Sequence, residues 1–535
     1  MIWHIAKKDF LNNVVSARFI IGFVLCLVLI PFSILINIED YREKDRLYQM
    51  DRDAAEKIMK QVRVYSGLRP EIVLPPEPLS IFSRGISGQV GNRVKIWLGE
   101  KPLLAEGRAT IRDNPFLDAF SSVDFVDITA IIFSLLALLF SYDAFTKEKE
   151  SGTLALQMSN SVGRSRLLAG KVLGILLTLL PVLLFSFLLA AVIVLFSPGV
   201  SFGGLEWTRI AFVFAASLVY LSVFVFAGVF ASARSRTSVT SLVVSLFVWV
   251  FFVLGIPHVA AYAAESFIRV GSRDNLTLVS VDLDKSRDEQ MEARRKSLPP
   301  PDWDMNWYMD GGQDGYQETY GNTGSMLERA RQLALFSEPL RIDYADRKWT
   351  FQKAYLDTLD RQARSAERIL MVSPAGVFRL VASALCATDR RAHAADMDRT
   401  REYRETFIQF LRGKNIFSSF RWITPAPPET FRTADELISL RTGGQFKNLA
   451  ELNSWWYEQK DFLAGWEVLN KVKIPGETPD EYPNLDVSDM PRFPPPPRSL
   501  QMGLEGSVMG VGFLLVEAIF LFYLGFVAFI RYDVR

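Results

Sequence analysis

Residues 172–196 read VLGILLTLLPVLLFSFLLAAVIVLF, a run of 25 residues in which no side chain carries a charge. A helix needs about 20 apolar residues to cross the hydrocarbon core of a bilayer. This run therefore predicts a transmembrane helix, and five further windows meet or approach the same length. They are residues 19–36, 126–142, 210–230, 239–263 and 508–530. Of these, the window at 126–142 is the weakest, because Asp124 and Asp127 lie at its beginning.

The composition agrees with a membrane protein that also has large polar parts. Of the 535 residues, 49% are hydrophobic and 22% are charged, and the two kinds are segregated along the chain. The net charge is +1, which gives no support to nucleic-acid binding, where a basic excess is expected. The predicted fold class is an α-helical polytopic membrane protein with six transmembrane helices and a composite α+β extracytoplasmic domain.

The distribution of Lys and Arg predicts how the six helices are oriented, because short cytoplasmic loops carry an excess of these residues. Basic residues occur in segments 1–18, 143–171, 231–238 and 531–535, and six spans place all four segments on one side. The short connection on the other side, residues 197–207, has no Lys or Arg. We therefore expect both termini to be cytoplasmic and the two long connections to lie outside.

Neither long connection holds enough apolar sequence to form a core without the other, so we expect one domain built from both. Residues 93–97, RVKIW, resemble a short strand, whereas residues 326–412 favour helices. The predicted organisation is a cytoplasmic interface helix (1–16), transmembrane helix one (17–37), extracytoplasmic segment one (38–122), transmembrane helices two to five (123–263) with a cytoplasmic coupling loop (143–171), extracytoplasmic segment two (264–506), and transmembrane helix six with a cytoplasmic tail (507–535).

Sequence motifs of common enzymes are missing. The chain has no GxxxxGK[ST] phosphate-binding loop, no HExxH and no GxSxG. Three histidines and two cysteines are too few for a typical metal-hydrolase cluster. We therefore predict that the chain is not an enzyme and has no catalytic, cofactor-binding or metal-binding residues of its own.

The most informative polar stretch is SYDAFTKEKESGTLALQMSNSVGRSRLLAGK, residues 141–171. Gly152 permits a sharp change of direction, and Thr153 can cap the helix that follows it. The stretch predicts a short amphipathic helix at the cytoplasmic membrane surface, suited to docking into another protein. An ordinary charged cytoplasmic loop is the alternative.

This stretch resembles the signature of the type-two ABC exporter permeases. The matching residues are Glu148, Glu150, Gly152, Thr153, Leu154, Arg164, Gly170 and Lys171. Residues 75–85, PPEPLSIFSRG, and 373–393, SPAGVFRLVASALCATDRRAH, are similar to a subgroup of these permeases with enlarged extracytoplasmic domains. The resemblance covers nearly the whole chain and implies six spans with cytoplasmic termini. Neither motif implies a substrate.

The resemblance also implies partners and roles. A separate ABC ATPase subunit would bind ATP and Mg²⁺ and contact the coupling loop, and a second permease subunit, identical or different, would complete the transporter in the bacterial cytoplasmic membrane. Glu148 and Glu150 would pair with basic groups on the ATPase or on the N-terminal helix, while Leu154 and Leu156 would enter a groove as apolar anchors. Membrane lipids are the other expected partner.

Glu517 lies midway along the last window, where a carboxyl group is costly and is a functional candidate by default. A protonated glutamate that hydrogen-bonds a neighbouring helix for packing is the alternative.

Two other functions remain open from the sequence. A membrane-anchored scaffold or sensor would bind a partner without transport, and a copurifying ATPase would argue against it. A secondary transporter would need several intramembrane ionisable residues and broken helices in matched halves.

Overall fold

A computed structural model gives the structure of residues 2–103, 105, 123–159, 163–303, 308–311, 317–459, 461–496 and 499–532. Most of this part of the chain is helical. Six segments within it are long and apolar enough to cross a membrane, judged by length and composition, which confirms the six windows. They are called spans 1 to 6: Ala17–Lys60, Phe125–Glu150, Arg164–Leu195, Gly204–Arg234, Ser238–Phe267 and Leu500–Ile530.

The helices of the described residues follow one another with short breaks. They are α1 (Ile2–Val14), α2 (Ala17–Lys60), α3 (Phe125–Ile128), α4 (Ser134–Ser141), α5 (Thr146–Glu150), α6 (Thr153–Ser159), α7 (Arg164–Leu195), α8 (Gly204–Arg234), α9 (Ser238–Trp249), α10 (Ile256–Phe267), α11 (Arg273–Ser297), α12 (Gly324–Leu370), α13 (Pro374–Leu385), α14 (Arg390–Gly413), α15 (Ala434–Arg441), α16 (Leu449–Gln459), α17 (Phe462–Leu469) and α18 (Leu500–Ile530). Span 2 includes a π-helical turn at Thr129–Phe133, and span 5 includes another at Val250–Gly255.

Span 1 continues well beyond the membrane, as its charged second half predicts. Its 44 residues form one helix about 66 Å long, whereas the hydrocarbon core is only about 30 Å thick. Ser16 caps its start by accepting a hydrogen bond from the Phe19 amide. The helix therefore connects the membrane region to the polar part of the molecule without a joint.

Span 4 lies at the centre of the bundle, where it packs against spans 2, 3, 5 and 6. At Gly228 an added Cβ would lie 2.9 Å from the Cβ of Ser141, so the missing side chain lets spans 4 and 2 approach closely. Span 2 has the lowest mean hydropathy of the six, 2.1, yet 72% of its apolar window is buried within the protein. Its lower hydropathy is tolerated because it contacts other helices more than lipid.

Helix α13 belongs to the second long connection but packs inside the bundle of spans. Val377, Phe378 and Val381 are buried in the same apolar cluster as the spans, and the helix contacts spans 4 and 6. Phe378 stacks on Tyr220 of span 4 with 4.6 Å between the ring centroids. Twelve residues are too few to cross a bilayer, so α13 enters the bundle from one end.

The two long connections share one hydrophobic core outside the bundle. Ile72 and Val94 from the first connection lie in the same buried cluster as Phe407 and Trp422 from the second. The amide of Leu485 also donates to the carbonyl of Val62, 2.7 Å away, which joins the end of the second connection to the end of span 1. We call the described residues of 38–103 and 268–496, apart from α13, the polar part.

The α+β description of this region is not confirmed, because the described residues form few strands. β1 (Glu71–Val73) pairs antiparallel with β2 (Arg93–Lys95), and β3 (Tyr308–Gly311) pairs with β4 (Gln317–Tyr320). Two-stranded ribbons are marginal by themselves, so most of the core is supplied by helices such as α12 and α14. The strand predicted at 93–97 is present but shorter.

Candidate functional site

The site is built at the end of the bundle where both described chain ends lie, which we call the coupling end. Residues 143–171, the coupling segment, leave span 2, form α5, bend at Gly152, form α6 and enter span 3. Gly152 has a φ of +70°, a left-handed conformation that glycine adopts without strain. No atom lies within 4 Å of the position a Cβ would take, so the backbone angle rather than space calls for glycine there.

Glu148 lies in an internal ion pair. Its Oε1 is 2.8 Å from Nζ of Lys171 in span 3, and the amide of Gln157 in α6 donates to the same oxygen at 3.0 Å. Lys171 is buried, and its ammonium also lies 3.8 Å from a carboxylate oxygen of Asp9 in α1. The pairing expected between Glu148 and the ATPase is thus replaced by a partner within the chain, because the first turns of span 3 lie directly beneath α5.

Glu150 also has a partner within the chain. Its carboxylate accepts hydrogen bonds from the backbone amide and the hydroxyl of Ser238, both at 2.8 Å, at the start of span 5. A helix N-terminus has unsatisfied amides and a partial positive charge, so a carboxylate is stabilised there. Glu150 therefore fixes the coupling segment to span 5 and is not free to pair with an ATPase or with α1.

Lys149, which the sequence analysis did not single out, lies between these two glutamates and caps span 4. Its ammonium donates to the carbonyls of Ser232, Ala233 and Ser235 at 3.1, 2.7 and 2.9 Å. It also lies 4.2 Å from the ring centroid of Tyr532. The short connection at 231–238 leaves the last carbonyls of span 4 without helical donors, which is the signal that could have pointed to this lysine.

Two arginines complete the connections to the remaining spans. Arg164, at the start of span 3, donates to the carbonyl of Ile530 and to that of Tyr532, the latter at 3.1 Å, at the end of span 6. Arg18 of span 1 is 2.9 Å from Asp143. The coupling segment therefore has a polar contact with the coupling end of every span.

Helix α1 packs on span 3 through two glycines. A Cβ at Gly170 would lie 2.8 Å from the side chain of Ile5, and one at Gly174 would lie 2.9 Å from the Ala6 carbonyl oxygen. Ala6 is fully buried as a result, while Trp3 is exposed. α1 is thus attached to span 3, close to the coupling segment.

The outward face of α6 presents one of the two predicted anchors. The Leu156 side chain is 68% exposed, and the neighbouring Thr153 and Ala155 are exposed as well. Leu154 is only 2% exposed and belongs to the apolar cluster of the bundle, so the expectation that it enters a partner's groove is wrong. At 100° per residue, the two leucines of a short helix point to opposite sides.

Glu517 lies in span 6, two turns beyond Gly510, where a Cβ would meet Val381 of α13 at 2.5 Å. Its carboxyl group is half-buried, and Oε2 has no hydrogen-bond partner among the residues that the structure describes. Its role, in function or in packing, stays a prediction.

A cavity of about 180 Å³ lies between α1, the coupling segment and the start of span 3. It is lined by Ile5, Lys8, Asp9, Glu148, Gln157, Leu167 and Lys171. In the part of the chain that the structure covers, no group of three His, Cys, Asp or Glu side chains could hold a metal ion.

Comparison with known proteins identifies similar sequences. The profile of the ABC-2 family transporter proteins matches residues 3–422, which is more than half of the chain. The probable ABC transporter permease protein NosY of Stutzerimonas stutzeri is 35% identical over 129 residues. That match takes in 24% of this chain and 46% of NosY, so the chain spans less than half the length of this curated relative.

Proposed function

This chain belongs to the ABC-2 family of transporter proteins as a permease subunit, and we propose that it forms an exporter or extractor with a separate ABC ATPase. ATP and Mg²⁺ would be bound by that ATPase. The transporter would contain two permease subunits, identical or different, in the bacterial cytoplasmic membrane. Spans 1, 5 and 6 have the least buried apolar windows, 28%, 22% and 22%, and offer faces to lipid or to a second permease.

The observation that carries this proposal is the contact of one segment with all six spans. An ATPase can drive transport only if its motion reaches the membrane helices, and such coupling needs a physical contact that differs between states. Glu148, Lys149 and Glu150 connect α5 to spans 3, 4 and 5 through direct hydrogen bonds. Leu156 of α6 faces outward from the same segment. A displacement of α6 would therefore reach several spans at once.

The proposal places the coupling end and both termini in the cytoplasm and the polar part outside. The basic segments at the coupling end support this orientation through the positive-inside rule. Span 1 leaves the bundle toward the polar part, so an ATPase on α6 and the polar part would lie on opposite sides of the membrane.

One labelling experiment tests both the orientation and the docking face. Single cysteines at exposed positions, Ala155→Cys in α6 and Ser454→Cys in α16, are placed in a chain whose buried cysteines are removed (Cys26→Ala, Cys386→Ala). We expect a membrane-impermeant thiol reagent to label residue 454 but not residue 155 in intact cells. In inverted vesicles stripped of ATPase, residue 155 should react, and adding the ATPase subunit should protect it.

The control is residue 454 in the same vesicles, whose reactivity the ATPase should leave unchanged. Labelling of residue 155 in intact cells would contradict the orientation. Unchanged reactivity of residue 155 with saturating ATPase would contradict the docking face.

A further inference from the structure

The cavity at the coupling end has an excess of negative charge in its interior. Asp9 and Glu148 contribute two carboxylates, while Lys171 is the only buried ammonium among its lining residues. Lys8 also lines the cavity, but its side chain is exposed to solvent. The inner wall therefore carries two acids and one base.

Lys171 serves the two carboxylates unequally. Its ammonium lies 2.8 Å from Glu148 and 3.8 Å from Asp9, so only the first distance is that of a hydrogen bond. Burial raises the pKa of the Asp9 carboxyl group, Lys171 lowers it, and the charge of Glu148 raises it again, with the net pKa above its ordinary value. Asp9 is thus the carboxylate that would gain most from a second cation.

The second oxygen of Glu148 points to the same conclusion. Its Oε2 is buried and has no hydrogen-bond donor among the residues that the structure describes. The Gly174 backbone holds Asp9 close to this group, because a Cβ at residue 174 would meet the Asp9 Cβ at 2.9 Å. The acidic wall is therefore a fixed feature of the packing of α1 on span 3.

We propose that this cavity receives a basic side chain of the ATPase subunit, a lysine ammonium or an arginine guanidinium, with Asp9 as its main counter-ion. The inference rests on the proposed function and names the chemistry of its partner. A volume of about 180 Å³ equals roughly six water molecules, which is far more than a single bare cation occupies. Gln157 lines the cavity and is adjacent to the exposed Leu156, so the cavity is continuous with the proposed docking face.

The test measures binding of the ATPase subunit to the full-length chain in nanodiscs at low and high salt. We expect Asp9→Asn, which keeps the side-chain shape, to weaken binding about 10- to 100-fold and to reduce its salt dependence. Lys7→Gln is the matched control, because Lys7 is exposed on α1 and does not line the cavity. Its effect should be less than about 3-fold.

Two further measurements keep the result interpretable. Asp9→Cys, made in the chain without Cys26 and Cys386, should react faster with a cationic than with an anionic thiol reagent of similar size, and bound ATPase should protect it. Nanodiscs of phosphatidylcholine and of phosphatidylethanolamine separate a protein side chain from a lipid amine, and the Asp9→Asn effect should be the same in both.

The outcomes separate this inference from the proposed function. If Leu156→Asp abolishes binding but Asp9→Asn binds with unchanged affinity and salt dependence, the cavity has no basic occupant and the inference fails while the docking face stands. An Asp9→Asn effect confined to phosphatidylethanolamine would assign the cavity to a lipid and overturn the inference. If neither variant alters binding, the proposed docking face fails as well.

Discussion

Leu156→Asp prevents the ATPase subunit from binding while the chain still folds and inserts into the membrane; this is the largest effect we expect from a single exposed residue. Leu156 is 68% exposed, so the substitution leaves no cavity in the protein. Truncating an apolar anchor at the centre of an interface typically costs about 2 kcal/mol or more, and a buried, unpaired aspartate costs further energy. Binding should therefore fall at least about 30-fold, with a matching loss of transport.

Binding of purified ATPase to the chain in nanodiscs measures this directly. Leu463→Asp is the matched control, since Leu463 is a similarly exposed leucine, 66%, in α17 of the polar part. It should bind the ATPase like the unmodified chain. Normal recruitment by Leu156→Asp, or equal losses in both variants, would remove the support for α6 as the docking helix.

Glu148→Lys should destabilise the coupling end itself, whether or not an ATPase is present. The substitution places a second ammonium beside Lys171, whose side chain is only 5% exposed. Breaking a buried ion pair by removing one partner costs about 3–5 kcal/mol, and like charges add to this. We expect a lower unfolding temperature in detergent and easier proteolysis of α1, which packs against the same group.

Exchanging the charges separates the ion pair from other effects of the lysine. The double variant Glu148→Lys/Lys171→Glu restores opposite charges, so it should recover part of the lost stability. Recovery is incomplete because the carboxylate introduced at position 171 would then lie near Asp9, whose own carboxylate is 3.8 Å from the present ammonium. A double variant no more stable than Glu148→Lys would show that the 2.8 Å pair does not hold α5 to span 3.

The six spans could be predicted from the sequence because a bilayer imposes a minimum length on an apolar helix. Helix α13 could not be predicted as part of the bundle, since its 12 residues are too short for that signal and include Arg379. It is buried by contacts with spans 4 and 6, which only the tertiary structure brings together. The α+β description failed for the polar part because its prolines and glycines leave strands of three or four residues.

The coupling segment shows the same division between local and tertiary information. The bend at Gly152 follows from the residue type, and the structure has it at a positive φ. The partners of Glu148 and Glu150 depend on how spans 3 and 5 approach the segment, and a charge pattern alone does not contain that geometry. Leu154 and Leu156 look alike in sequence, but only Leu156 faces outward.

The central claim is that this permease works with a separate ATPase that binds the coupling segment. The most direct measurement is purification of the chain from its own membranes in mild detergent, followed by sequencing of whatever polypeptide remains bound in stoichiometric amount and by an ATP hydrolysis assay. We predict a subunit with a GxxxxGK[ST] loop and Mg²⁺-dependent hydrolysis, both absent from a parallel preparation of Leu156→Asp. A chain that purifies without such a subunit and without hydrolysis, or one that retains both despite Leu156→Asp, would contradict the account.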